Sequence, residues 1–164
     1  SDVYKRQVEI SVNQTNILFE FDSYRLICRM IEGRYPNYRV VIPQKQPNRA
    51  VLKKADIVSA LKRVSVFCDE SSSLVVLKFD SDSLKIAAHD LDFSKSAEET
   101  ITLQSGCNIE IGFRSSFIIE MVNNIPSEDI AITMSDPSKA SIFTRCDEEV
   151  RSLTYLLMPL SINY

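Results

Sequence analysis

The 164-residue chain has three glycines, one histidine and no tryptophan. With only Gly33, Gly106 and Gly112, neither GxGxxG nor GxxxxGK can be written, so the Gly-rich cradles that hold nucleotide phosphates are excluded. No apolar run approaches the roughly 18–20 residues of a membrane span, and the start has no signal-peptide core. The four cysteines (Cys28, Cys68, Cys107, Cys146) form no CxxC pair. That scatter suits buried small residues in a reducing cytoplasm better than zinc or a disulfide framework. No metal and no cofactor is expected. What is present fits a globular domain: 45% hydrophobic residues, 25% charged residues and a net charge of −3. The charge is uneven, with 12 basic and 6 acidic side chains in residues 1–63 against 7 and 16 in residues 64–164. A local anionic partner is one reading of that asymmetry; an accident of surface composition is the other.

Short alternating runs dominate the chain. Val8, Ile10 and Val12, then Ile17, Phe19 and Phe21, alternate with neighbours such as Glu9, Ser11 and Glu20, and a longer strand covers Tyr24 to Ile31. Turns at Asn13–Asn16 and Asp22–Ser23 supply hairpin chemistry. Gly33 to Arg49 holds Pro36, Pro43 and Pro47 and reads as an extended connection between domains. Beyond it one pattern occurs twice. The first unit is a strand (49–53), a helix (54–68) and strands near 74–79, 84–89 and 97–103. The second is a strand (107–112), a helix (114–125) and strands near 129–134, 139–145 and 151–158, offset by about 54–58 residues. Ile57, Leu61, Val64 and Cys68 give the first helix its apolar stripe; Phe117, Met121 and Ile125 give the second, with Ile118 beside them and Pro126 as the stop. The outer face of the first helix carries Lys54, Ser59 and Lys62, with Arg63 at its margin. The expected fold is therefore α+β: a duplicated β-α-β-β-β unit, antiparallel sheets with two helices on one face. The first 32 residues fit the last three strands of a further unit whose strand and helix are missing.

No catalytic constellation emerges. Asp80-Ser81-Asp82-Ser83 lacks the further ligands and glycine of a calcium loop and reads as a solvated hairpin turn. His89 and Asp90 are neighbours on a strand and point to opposite faces. Glu98-Glu99 and Asp147-Glu148-Glu149 read as solvated surface. Two apolar segments stand out instead: Leu153 to Leu160 near the C-terminus, and Tyr35 to Val41 in the connection. Both either pack on the core or form a groove that accepts hydrophobic side chains of another protein.

Glu32-Gly33-Arg34-Tyr35-Pro36-Asn37-Tyr38 followed by Val41-Ile42-Pro43 resembles the inter-domain signature of the bacterial DNA polymerase III β sliding clamps. Leu157-Met158-Pro159-Leu160 resembles that family's C-terminal ending; Ile109-Glu110-Ile111-Gly112-Phe113 and the hairpin ending in Ser83-Leu84-Lys85-Ile86 match as well. Val64-Ser65-Val66-Phe67 and Ser96-Ala97-Glu98-Glu99-Thr100 resemble clamps of the Bacteroidetes lineage.

The resemblance implies a non-catalytic processivity factor: three duplicated domains per chain, closed as a head-to-tail dimer ring around duplex DNA, tethering DNA polymerase III and other replication and repair proteins through short hydrophobic peptides. Here it implies the end of a second domain (8–38) and a complete third domain (39–164); residues 1–7 depart from the pattern and read as a non-native leader. By position, it assigns the peptide pocket to Pro36, Val40, Val41, Phe117, Leu156, Met158, Pro159 and Leu160. Sequence-independent phosphate contacts fall to Lys54, Lys62 and Arg63, and the ring interface to Val66 and Phe67. Val40 stands where some clamps have Arg. With the first domain missing, the 164-residue chain is expected to be a monomer that binds DNA weakly. The competing reading is a free-standing β-rich interaction module with no DNA role.

Overall fold

In the computed structural model, residues 7–90, 92–146 and 154–162 are described. The expected leader (apart from Gln7), the Asp147-Glu148-Glu149 cluster and the start of the last expected strand lie outside them. The chain divides into two compact units, Ser1–Asn37 and Tyr38–Tyr164.

The first unit is an antiparallel meander of β1 (Glu9–Val12), β2 (Asn16–Phe21) and β3 (Tyr24–Arg29). Asn13 shapes the first turn: its Oδ1 accepts the Thr15 and Asn16 N–H groups at 2.9 and 2.7 Å. The second turn is tight, with Asp22 at φ +52°, a conformation Asp tolerates. Register sets Ile10 beside Phe19 beside Leu26, and Val12 beside Ile17 beside Cys28. One face of the sheet is thus almost wholly apolar, and much of it is exposed.

The second unit contains β4 (Asn48–Lys53), α1 (Lys54–Val64), β5 (Leu74–Phe79), β6 (Ser83–Asp90) and β7 (Lys95–Thr102). It continues with β8 (Ile109–Arg114), α2 (Ser115–Asn123), β9 (Asp129–Met134), β10 (Ser141–Arg145) and β11 (Tyr155–Leu157). The duplication is as expected, although the paired strand–helix starts (Asn48 and Ile109, Lys54 and Ser115) lie further apart than about 58 residues. The strands form two four-stranded antiparallel sheets, ordered β11-β10-β9-β4 and β7-β6-β5-β8. Each repeat therefore gives its first strand to the other repeat's sheet.

That exchange explains how both helices start without a side-chain cap. β4 runs directly into α1 and β8 directly into α2. The first helical N–H would be an orphan donor. The Lys54 N–H instead reaches the Glu128 carbonyl, and the Ser115 N–H the Ser73 carbonyl, each at 2.8 Å. Glu128 and Ser73 are the residues just before β9 and β5, the strands to which β4 and β8 are paired.

Two helix expectations change. α1 stops at Val64, and a 3-10 turn over Ser65–Phe67 completes the expected span. On α2 the buried stripe is Ile118, Met121 and Val122, continued by Ile125 below the helix, whereas Phe117 is 53% exposed. α1 lies against β6 and β7, α2 against β8 and β11, and the helices touch each other. Their stripes share one core with Leu77, Phe79, Ile86, Ile111 and Ile132. The Phe113 and Phe143 rings meet edge-on at 5.9 Å, joining β8 of one sheet to β10 of the other. The connection before β4 is mostly irregular, with one 3-10 turn at Tyr38–Val40. Among the described residues no helix is long and apolar enough to cross a membrane.

Candidate functional site

Ile109, Ile111 and Phe113 turn into the core, so Glu110, Gly112 and Arg114 share the opposite face of β8. The C-terminal segment runs alongside this edge strand. The Leu160 N–H donates to the Gly112 carbonyl at 2.8 Å in an antiparallel bridge. Gly112 makes room for it: a Cβ there would stand 3.0 Å from the Leu160 carbonyl oxygen and 3.1 Å from the Ile162 side chain. At its other end the segment enters β11, where Leu156 pairs with Ile142. The tail therefore spans the edges of both sheets, and α2 touches β11 from one side.

Four expected pocket residues lie on this segment: Leu156, Pro159 and Leu160 half-buried, Met158 54% exposed. Phe117, on the outward side of α2, is joined to the site through β8, because the Arg114 guanidinium lies over its ring, 5.5 Å from the centroid. Val40 and Val41 lie in and just after the 3-10 turn; both are exposed, and among the described residues no hydrogen bond joins them to the tail. Pro36 is exposed in the first unit. The structure thus brings α2 and the tail together, with Phe117 on the outward side of that helix. It adds Arg114, which sequence reasoning missed, although the β8 alternation already placed it beside Gly112.

The basic residues of α1 fare differently from one another. Lys54 is half-buried, and its ammonium donates to the Ile125 carbonyl at 2.8 Å, tying the start of α1 to the end of α2. Arg63 is bound by Glu99 on β7 through two hydrogen bonds, one of them 2.9 Å from Nε to Oε2. The Arg63 hydrogen bond holds the Glu99 carboxyl below its ordinary range, and Glu99 raises Arg63 above its own. Lys62 is exposed, and no carboxylate of the described residues pairs with it. An open depression of about 770 Å³ between the start of α1 and the end of α2 is lined by Lys53, Lys54, Asn123, Glu128 and Asp129, among others. Its mixed charge does not suit an apolar peptide anchor. Val66 and Phe67, in the 3-10 turn, are 77% and 39% exposed.

His89 is exposed and Asp90 buried, as strand alternation requires, and Asp90 accepts the Phe93 N–H in the turn before β7. Asp80 to Ser83 closes the β5–β6 hairpin, with the Asp80 N–H bonded to the Ser83 carbonyl at 2.8 Å.

The family model for the DNA polymerase III beta subunit, C-terminal domain, matches residues 39–161. The chain belongs to this family. It is 28% identical to the beta sliding clamp of Synechocystis over 94% of its length and 25% identical to that of Escherichia coli over 94%. It spans 40% and 42% of those two relatives. A crystal structure of the Bartonella birtlesii DnaN sliding clamp, bound to griselimycin, superposes with a TM-score of 0.83 at 26% identity, covering 94% of this chain and 41% of that one. Membership fixes the duplicated α+β clamp fold and identifies the chain as DNA polymerase III clamp sequence, which disfavours an unrelated interaction module.

Proposed function

We propose that the chain is the C-terminal part of a DNA sliding clamp, a non-catalytic processivity factor of the cytoplasm. Residues 8–38 close a second clamp domain and residues 39–164 form the third. The complete ring is a head-to-tail dimer around duplex DNA, joined partly through Val66 and Phe67. It tethers DNA polymerase III and other clamp-binding proteins by their short hydrophobic peptides. The observation that carries this reading is the family match over residues 39–161 together with the docked tail. Leu160 is held on Gly112, while Met158 on the tail and Phe117 on α2 remain exposed. Exposed apolar side chains on a fixed backbone form a site that a partner's anchors can fill without reordering it. Val40, Val41, Leu156 and Pro159 complete the walls.

DNA contact falls to α1, where Lys54, Lys62 and Arg63 meet phosphates without reading bases. Lys62 is the freest of the three, because Lys54 holds a carbonyl and Arg63 a carboxylate. The chain by itself is a monomer and holds DNA too weakly to detect near physiological salt. Tight, sequence-selective DNA binding by this chain would contradict that.

The pocket is tested by titrating a polymerase-tail peptide into the 15N-labelled chain and its Met158→Ala and Leu156→Asp variants. Burying one Leu or Phe anchor contributes about 1.5–3 kcal/mol, and association costs at least about 4 kcal/mol. Binding is therefore expected to be weak in the native chain, weaker by severalfold with Met158→Ala, and absent with Leu156→Asp. Equal affinity in all three, with folding intact, would show that clients bind elsewhere.

A further inference from the structure

The stretch that reads in sequence as one extended connection is two segments with different ties. Residues 31–36 are all exposed, and no backbone hydrogen bond among the described residues involves them. Ile31 is 97% exposed, and Gly33 sits at φ +125° with open space where a Cβ would stand. From Tyr38 onward the chain acquires fixed points. The 3-10 turn over Tyr38–Val40 is closed by the Val41 N–H, which donates to the Tyr38 carbonyl at 3.0 Å, and Ile42 and Pro43 are half-buried. Gln46 then reaches onto the sheet. Its Nε2 donates at 2.9 Å to the carbonyl of Ala140, the residue just before β10, and its Oε1 accepts the hydroxyl of Thr133 on β9. These partners are 94 and 87 residues away in sequence. A carbonyl can only accept, so the amide has one workable orientation, and in it both of its ends are satisfied. Ala140 is 4% exposed, so its carbonyl has little water to replace a lost donor.

From this we infer that Gln46 is a positioning residue. Its amide latches the segment from Tyr38 to Pro47 onto β9 and the start of β10, so that this segment shares the order of the sheet and the chain's free joint is confined to residues 31–36. Without the latch the segment regains backbone freedom as far as Asn48, where the pairing of β4 with β9 begins. Neither a client peptide nor DNA takes part, so the latch goes beyond the proposed function and is tested apart from it.

The test is 15N relaxation on the 164-residue chain. In the native chain the amide order parameters are expected to fall below about 0.6 over residues 31–35 and to approach about 0.85, the value of rigid backbone, over residues 38–46 apart from Pro43. Gln46→Met keeps the length of the side chain and removes both hydrogen bonds. Gln46→Glu keeps an acceptor for Thr133 but sets a carboxylate oxygen against the Ala140 carbonyl. In each variant the order parameters of residues 38–46 fall toward those of residues 31–35, exchange of the Val41 amide speeds up, and β4 and β9 keep their native values. Thr133→Val loosens the segment partly when made alone and adds nothing to Gln46→Met, because the two residues act through one amide. Full order over residues 38–46 in Gln46→Met overturns the latch, and so does low order of those residues in the native chain. An additive effect of Thr133→Val overturns it too, since Thr133 would then act through another contact. Loss of the β9 signals in Gln46→Met also overturns it, because a latch on a surface segment does not hold the core.

Discussion

α1 and α2 are equivalent elements with different surfaces. Each follows its strand without a loop, hands its first N–H to the residue before the strand that its own strand pairs with, and buries one apolar stripe. Outward they diverge. α1 presents Lys62 and Arg63 in its last turn, whereas α2 has no basic residue there and shows Phe117 and Glu120. The inner stripes fix the duplicated fold and leave the outer faces free to differ; in the proposed function α1 faces phosphates and α2 faces a peptide.

The largest expected effect tests the equivalence. Ile57 and Ile118 are both fully buried. Replacing either by Ala is expected to cost about 2–5 kcal/mol, with the two values within about 1 kcal/mol of each other in urea denaturation. A large loss in only one variant would show that the two repeats do not share the core equally.

A smaller effect is expected where the repeats part company. A later segment bridges each repeat's first strand, Ser105 at Val51 of β4 and Leu160 at Gly112 of β8, but only in β8 is the crossing residue a glycine, which makes the close approach possible. Gly112→Val should destabilise the chain by about 1–3 kcal/mol. It should also speed hydrogen exchange at the Leu160 amide and abolish peptide binding. Unchanged exchange at Leu160 would mean that the bridge does not hold the tail.

On the α1 side the effects are electrostatic and smaller. Lys62→Gln should lower the slope of log affinity for duplex DNA against log salt by about one unit. Arg63→Gln should lower it less, because Glu99 already neutralises that charge. Measuring both slopes in fluorescence titrations at low salt separates them; an equal drop would show that DNA displaces Glu99.

The smallest effect is a titration shift. The hydrogen bond from Arg63 lowers the Glu99 carboxyl pKa in the folded chain. The stabilisation is therefore present above the unfolded carboxylate pKa and is lost as pH falls through the lower folded value. In Arg63→Gln the Glu99 carboxyl should titrate at higher pH, closer to an ordinary glutamate, by carbon-detected NMR.

Much of this was legible in the sequence, and the exceptions have physical causes. The strands of both repeats were readable because period-two alternation persists wherever one face is buried, as Val75, Leu77 and Phe79 show. The exchange of β4 and β8 between sheets was not, since alternation says which face is buried and nothing about which strand lies alongside. Phe117 was placed on the buried stripe because 117, 121 and 125 satisfy helical spacing as well as 118, 122 and 125 do. Packing against β8 and β11 makes the choice between them. The pairing of Arg63 with Glu99 was not legible because Glu99 is 36 residues away in sequence. Arg114 was passed over because its meaning depends on a single bridge, Gly112 to Leu160, that leaves no periodic trace.

The most direct test of the account is a residue-resolved map of amide shifts as a hydrophobic client peptide is added to the 15N-labelled chain. The account predicts that the changes concentrate at Gly112, Arg114, Phe117, Met158 and Leu160 and spare the outward face of α1. Shifts centred on Lys54, Ser59 and Lys62, with the tail unmoved, would contradict it.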